Sequence, residues 1–274
     1  MVALLLLLIT CNMQAQERLL TLCHTNDTHS CVEPINPLFA DKRQANKGGY
    51  LRRLAWIEKQ RETTPDLLLL DGGDFSQGSL YYTLYKGEVE VTLMNAMHYD
   101  AATIGNHEFD YGMENLARLC KLAEFPIVCS NYHFEGTPCE GLVKPYIIKE
   151  RAGKRIAIIG VSPKLDGLVA AATCTGVRYE DPVEAVNRSV REVEAQGVDL
   201  VILLSHLGWE DANADIDDRR LIPQIRGIDY VVGGHSHTLF EAPRRVTDKE
   251  GNSIPVCQMG KNGQWVETVQ IAVP

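Results

Sequence analysis

Seven side chains scattered along this sequence can donate to a divalent cation: Asp27, His29, Asp74, Asn106, His206, His235 and His237. Each stands within a few residues of the end of an apolar run. Asp27 and His29, at i and i+2, project to the same side of an extended chain, so a carboxylate and an imidazole can meet one ion. Asp74 follows Gly72-Gly73, where backbone can approach closely, and its carboxylate could bridge two ions. Asn106 offers a neutral amide oxygen. Beside it His107 is an imidazole free to move a proton or hold a phosphoryl oxygen, and Asp110 can orient that ring. Taken singly, Asp and Asn after a strand are ordinary turn formers, and a lone His is more often structural. Taken together they point to a two-metal centre.

The elements that must position them are short. Apolar runs at 19–25, 67–70, 101–104, 200–204 and 228–232 read as strands, each followed by one of the polar clusters. They alternate with helical patterns, which predicts an α/β fold. In open α/β sheets, ligands collect beyond the carboxyl ends of the strands. The clearest helix spans 182–196. Asp181 caps it, Pro182 suits its first turn, Val183, Val186, Val190 and Val193 form its apolar face, and Gly197 closes it. Helices are also expected at 49–61 and 113–123. Hairpin-like stretches at 146–161 and 254–273 read as antiparallel strands, so the sheets should be mixed. With no repeats or linkers, one domain over 16–274 is the simplest count.

The 274 residues carry a net charge of −9, with 45% apolar and 23% charged side chains. No basic cluster stands out, which argues against nucleic acid or an anionic membrane as partner. A phosphorylated small molecule would be repelled overall, so bound cations must supply the local attraction. Residues 2–9 are uniformly apolar, far short of the roughly 20 residues a spanning helix needs. They fit a secretory leader over 1–15, cleaved after Ala15, although no Lys or Arg precedes them. Export to the periplasm or cell surface is the expectation. Acylation at Cys11 is the less favoured alternative. Among the other seven cysteines there is no Cys-x-x-Cys pair. Cys23, Cys129 and Cys257 sit in apolar runs and are expected to be buried thiols. At most one or two disulfides and no thiolate metal site are expected.

Four stretches carry a family resemblance: Leu22-Cys23-His24-Thr25-Asn26-Asp27-Thr28-His29-Ser30, residues 99–110 with Gly105-Asn106-His107-Glu108-Phe109-Asp110, Ser205-His206-Leu207-Gly208, and Gly233-Gly234-His235-Ser236-His237. Together they resemble the metallophosphoesterase (calcineurin-like) domain of the bacterial 5′-nucleotidase family, over essentially everything from residue 19 onward. Gly48-Gly49-Tyr50-Leu51-Arg52-Arg53-Leu54 is similar to that family's first helix, and Cys23 stands where an aliphatic residue is usual. The resemblance implies a four-layer α/β/β/α sandwich. It implies one metal on Asp27, His29 and His237, a second on Asn106, His206 and His235, and Asp74 between them. His107 and Asp110 would form the catalytic dyad.

Two ions roughly 3.5–4 Å apart can clamp the attacking and departing oxygens of an in-line displacement and deprotonate a shared water near neutral pH. The resemblance therefore implies hydrolysis of a nucleotide phosphomonoester. Cyclic-nucleotide or UDP-sugar cleavage, thiosulfohydrolase chemistry and an inactive metal-binding subunit are the competing readings. Mixed N/O ligation suits Mn²⁺, Zn²⁺, Fe²⁺ or Co²⁺, with Mg²⁺ also in range. Full-length relatives carry a C-terminal domain that recognises the nucleobase. This sequence stops where the catalytic domain would finish, so either a separate polypeptide supplies that half, which is the expectation, or the catalytic domain works alone with broad specificity.

Overall fold

The computed structural model describes residues 18–210 and 214–273. The leader and Cys11 lie outside the described residues. From the start, β1 (Arg18–Thr25), α1 (Tyr50–Thr63), β2 (Leu68–Asp71), α2 (Leu80–Tyr85), α3 (Glu88–Ala96), β3 (Ala101–Thr103) and α4 (Met113–Leu122) alternate. Short strands β4 (Ile127–Val128), β5 (Tyr132–His133) and β6 (Val143–Lys144) lead to the hairpin of β7 (Tyr146–Arg151) and β8 (Lys154–Val161). Then come β9 (Arg178–Tyr179), α5 (Pro182–Glu194), β10 (Leu200–Ser205), α6 (Asp218–Leu221) and β11 (Tyr230–Gly233). β12 (Arg244–Thr247), β13 (Ser253–Cys257) and β14 (Glu267–Val273) finish the order.

Two six-stranded sheets result, ordered β14-β1-β2-β3-β4-β6 and β12-β13-β11-β10-β8-β7. Each mixes parallel and antiparallel pairs. The central strands read as unbroken apolar runs because both of their faces are covered. Leu20, Leu22, Leu68 and Leu70 of the first sheet meet Ile156, Ile158, Ile202 and Leu204 of the second in one buried cluster between the sheets. The alternate residues point outward. Cys23 and Leu69 pack with Ile57, Val91, Met94 and Leu116 from α1, α3 and α4. Ala157, Ile159, Val201 and Leu203 pack with Val186, Val190 and Val193 of α5. These are the four layers α/β/β/α.

Helix α5 forms as its residues dictate: the Asp181 carboxylate accepts from the N–H groups of Val183 and Glu184, and Pro182 occupies the first turn. The 146–161 hairpin forms as expected, with Tyr146 opposite Ile159. The 254–273 stretch does not. β13 pairs with β11 and β12 in the second sheet, whereas β14 crosses to pair antiparallel with β1 in the first. Residues 258–266 make the crossing, and they run against the Asp27 loop: the Asn262 N–H donates to the Asp27 carbonyl at 2.7 Å. The seven described cysteines are all free thiols, so no disulfide forms among them. Cys23, Cys129 and Cys257 are buried as expected, and so is Cys139. No helix of the described residues is long and apolar enough to cross a membrane.

Candidate metal centre

The parallel strands end flush. Thr25 registers with Asp71, Asp71 with Ala102, and Ser205 with Gly233, so all five polar clusters leave the sheets at one edge. The loops there are stitched together by backbone. The Asp27 N–H donates to the Gly73 carbonyl (2.9 Å) and the His29 N–H to the Asp74 carbonyl (3.1 Å). Close approach depends on absent side chains. A Cβ on Gly105 would lie 2.1 Å from Asp74 Oδ1, and one on Gly234 would lie 2.9 Å from His206 Nδ1.

The expected donors converge. His29 Nε2 and His237 Nε2 are 2.9 Å apart, and Asp27 Oδ1 lies 3.8 Å from the first and 3.5 Å from the second. His206 Nε2 is 3.1 Å from Asp74 Oδ2, and His235 shares that second group with them. Asp74 stands between the groups, its Oδ2 also 4.0 Å from His29 Nε2. Its other oxygen accepts the His107 N–H at 3.0 Å. Asn106 is thereby bracketed by two neighbours that touch Asp74, Gly105 and His107. Its Oδ1 is buried with no hydrogen-bond partner among the described residues. His206 donates from Nδ1 to the Gly72 carbonyl (2.7 Å), which turns Nε2 toward the carboxylates.

Five of these residues hold a left-handed backbone: Asp27 (φ 48°), His29 (42°), Asp74 (53°), His235 (74°) and His237 (55°). Such angles are uncommon outside glycine and concentrate at functional sites. Each bends the chain back at a strand end and turns a donor inward.

Electrostatics fit a cation. Burial holds His29 and His237 down to about 4, which favours the neutral imidazoles that metal ligation requires. Burial pushes Asp27 up to about 8, and the neighbouring Asp74 charge adds to the rise. His206 is pushed up to about 10: burial opposes the charge, but Asp74 and Asp27 outweigh it. The two carboxylates thus favour positive charge at His206 Nε2, whether a proton or a metal ion carries it. Two carboxylates, four imidazoles and an orphaned amide oxygen, buried except for the half-buried His235 and the exposed His237, are a donor set for hard or borderline divalent ions. The residues fit the two ions that the motifs imply.

His107 stands at the rim, partly exposed. Its Nδ1 meets Asp110 Oδ2 at 3.0 Å, and its ring centroid is 5.4 Å from that of His29. Burial works against a charged ring there, yet the Asp110 hydrogen bond and the Asp74 charge raise its pKa.

Reading the sequence for ligands missed Glu108. Its carboxylate is 1% exposed and accepts four hydrogen bonds: Gly105 N (2.7 Å), Asp74 N (3.1 Å), Ser76 N (3.1 Å) and Ser76 Oγ (2.7 Å). It ties the Asp74 loop to the Asn106 loop. Burial pushes its pKa up to about 7. Its only signal in the sequence was its place inside the Asn-His-Glu-Phe-Asp run. Glu108→Ala would strand several buried donors and should destabilise the chain by about 2 kcal/mol or more in denaturant titration. An unchanged midpoint would remove the clamp role.

Residues 20–239 match the calcineurin-like phosphoesterase family. The chain belongs to it. Among relatives, human 5′-nucleotidase is 32% identical over 271 aligned residues, covering 92% of this chain and 46% of the human protein. The crystal structure of a 5′-nucleotidase precursor from Thermus thermophilus superposes with a TM-score of 0.82 at 33% identity, over 93% of this chain and 51% of that one. A Haemophilus influenzae NAD nucleotidase gives 0.80 at 26% identity, over 93% and 53%. The family domain is thus homologous to part of the 5′-nucleotidases, and the chain spans about half the length of these relatives.

Proposed function

We propose that this chain is a two-metal phosphohydrolase acting on a nucleotide phosphomonoester. What supports this most is the convergence of the Asp27, His29 and His237 group with the Asp74, His206 and His235 group at one sheet edge, in a chain related to 5′-nucleotidases. Asp27, His29 and His237 would hold one ion, and Asn106, His206 and His235 the other, with Asp74 shared. The ions, when bound, supply Lewis-acid polarisation of the phosphoryl group and acidify water. His107 would stand beside the phosphoryl oxygens, stabilise their growing charge or hand a proton to the leaving alkoxide. Asp110 would hold the ring's orientation from Nδ1. Gly72, through its carbonyl, fixes the His206 tautomer.

Export to the periplasm or cell surface is proposed from residues 2–9 alone. The deciding experiment is a hydrolysis screen of the metal-reconstituted chain with AMP, a cyclic nucleotide, a UDP-sugar and a thiosulfate compound side by side. Metal-dependent release of phosphate from AMP, ahead of the others, is expected. Preference for the diester, the pyrophosphate or the thiosulfate compound would replace the proposed substrate, and no turnover at all would favour an inactive subunit.

A further inference from the structure

A cationic cavity lies away from the metal centre. It occupies about 390 Å³ between the start of α1 and the segment that leads into β14. Lys47, Arg52, Arg53, Trp56, Gln264 and Trp265 line it together with glycine backbone and Val266. Among the described residues three cations and no carboxylate face it, in a chain whose net charge is −9. None of the seven donors of the metal centre takes part.

Its walls are built rather than incidental. Arg53 is 3% exposed, and its Nε, Nη1 and Nη2 have no hydrogen-bond partner among the described residues. Its guanidinium stacks 4.3 Å from the Tyr50 ring centroid. Gly263 is required above it, since a Cβ there would lie 2.6 Å from the guanidinium carbon. A buried guanidinium without a hydrogen-bond partner is costly even with the Asp71 charge within electrostatic range, so an anion nearby would relieve it. Lys47 Nζ lies 3.9 Å from the Trp265 ring centroid, so one wall offers a cation and a flat aromatic face together. Arg52 is exposed at the rim, where it donates to the Asn46 side chain (3.0 Å). Gly48 and Gly49 open the N-terminal end of the 14-residue α1 onto the cavity, which adds positive potential.

We propose that this cavity binds a phosphate linked through a sugar to a flat aromatic base, a ligand of the nucleotide class, at a site separate from the metals. Lys47 and Arg52 would hold the phosphate, Trp265 would stack the ring, and Arg53 would supply a fixed field from below. The site is mechanically tied to the metal centre. Residues 260–262, which continue into the cavity wall, hold the Asp27 loop: the Gly260 carbonyl accepts from Asn26 Nδ2 (3.0 Å), and the Asn262 N–H donates to the Asp27 carbonyl (2.7 Å). A ligand here would therefore stiffen the loop that carries Asp27.

Tryptophan fluorescence of the full chain, stripped of metal with EDTA, tests this without requiring turnover. Two of the three tryptophans line the cavity. Titration with AMP should give a saturable change, weaker for inorganic phosphate and weaker again for adenosine. Lys47→Ala/Arg52→Ala should weaken AMP binding about 10-fold or more, the loss of charge-assisted contacts. Trp265→Leu should weaken AMP while leaving phosphate unchanged, and Asp74→Asn should leave both intact. No saturable AMP signal, equal affinity in the double variant, or loss of binding in Asp74→Asn would each overturn the proposal. None of these outcomes bears on whether the metal centre hydrolyses phosphate esters.

Discussion

Asp74→Asn is expected to abolish metal-dependent phosphatase activity, with a fall of at least about 100-fold, beyond the usual cost of losing an outer-shell partner. The carboxylate uses both oxygens: Oδ1 accepts the His107 N–H at 3.0 Å and Oδ2 faces His206 Nε2 at 3.1 Å. An amide of the same shape can satisfy only one side. With its NH₂ toward His107 two donors collide, and with its NH₂ toward His206 the shared anionic oxygen is gone. Metal content by elemental analysis should drop along with turnover. Full activity in the variant would remove Asp74 from the bridging position.

His107→Ala should separate chemistry from metal binding. The ring is anchored from Asp110 at the rim, and the loss of a positioned acid or electrostatic stabiliser lowers turnover by about 10²–10⁴-fold. Both ions should remain. His107 nevertheless lies within ligand reach of His29 and Asp74, so metal stoichiometry is the decisive measurement. A variant that retained turnover but lost an ion would make His107 a ligand. Asp110→Asn, which keeps the ring in place but removes the charge, should lower turnover less than His107→Ala does.

The features legible in the sequence are those with strong local signals. Asp181-Pro182 and the spaced valines of α5 announced a helix because capping and periodicity are local. The central strands announced themselves as unbroken apolar runs because both faces are buried, and their polar endings marked the edge where the donors meet. What stayed hidden depends on distant chain. Ile254 and Val269 have the same strand-like surroundings in sequence, yet only pairing of β13 with β11 and of β14 with β1 puts them in different sheets. Helices α2 and α3 were also missed. Leu80 and Leu84 are exposed on α2, so no buried periodic stripe marks it. Glu108 resembles any acidic residue near a helix start until its four donors from two loops are seen. Nothing local marks Arg53 as buried, and its lack of hydrogen-bond partners emerges only with Gly263 folded over it.

The left-handed donors carry a consequence for heat tolerance. An L-residue in that conformation costs about 1 kcal/mol or more relative to glycine-like freedom, and five such residues crowd one edge of the molecule. Random variation selected only for surviving high temperature should drift toward Gly at Asp27, His29, Asp74, His235 and His237. The hottest-surviving descendants would then be the ones least able to keep their ions.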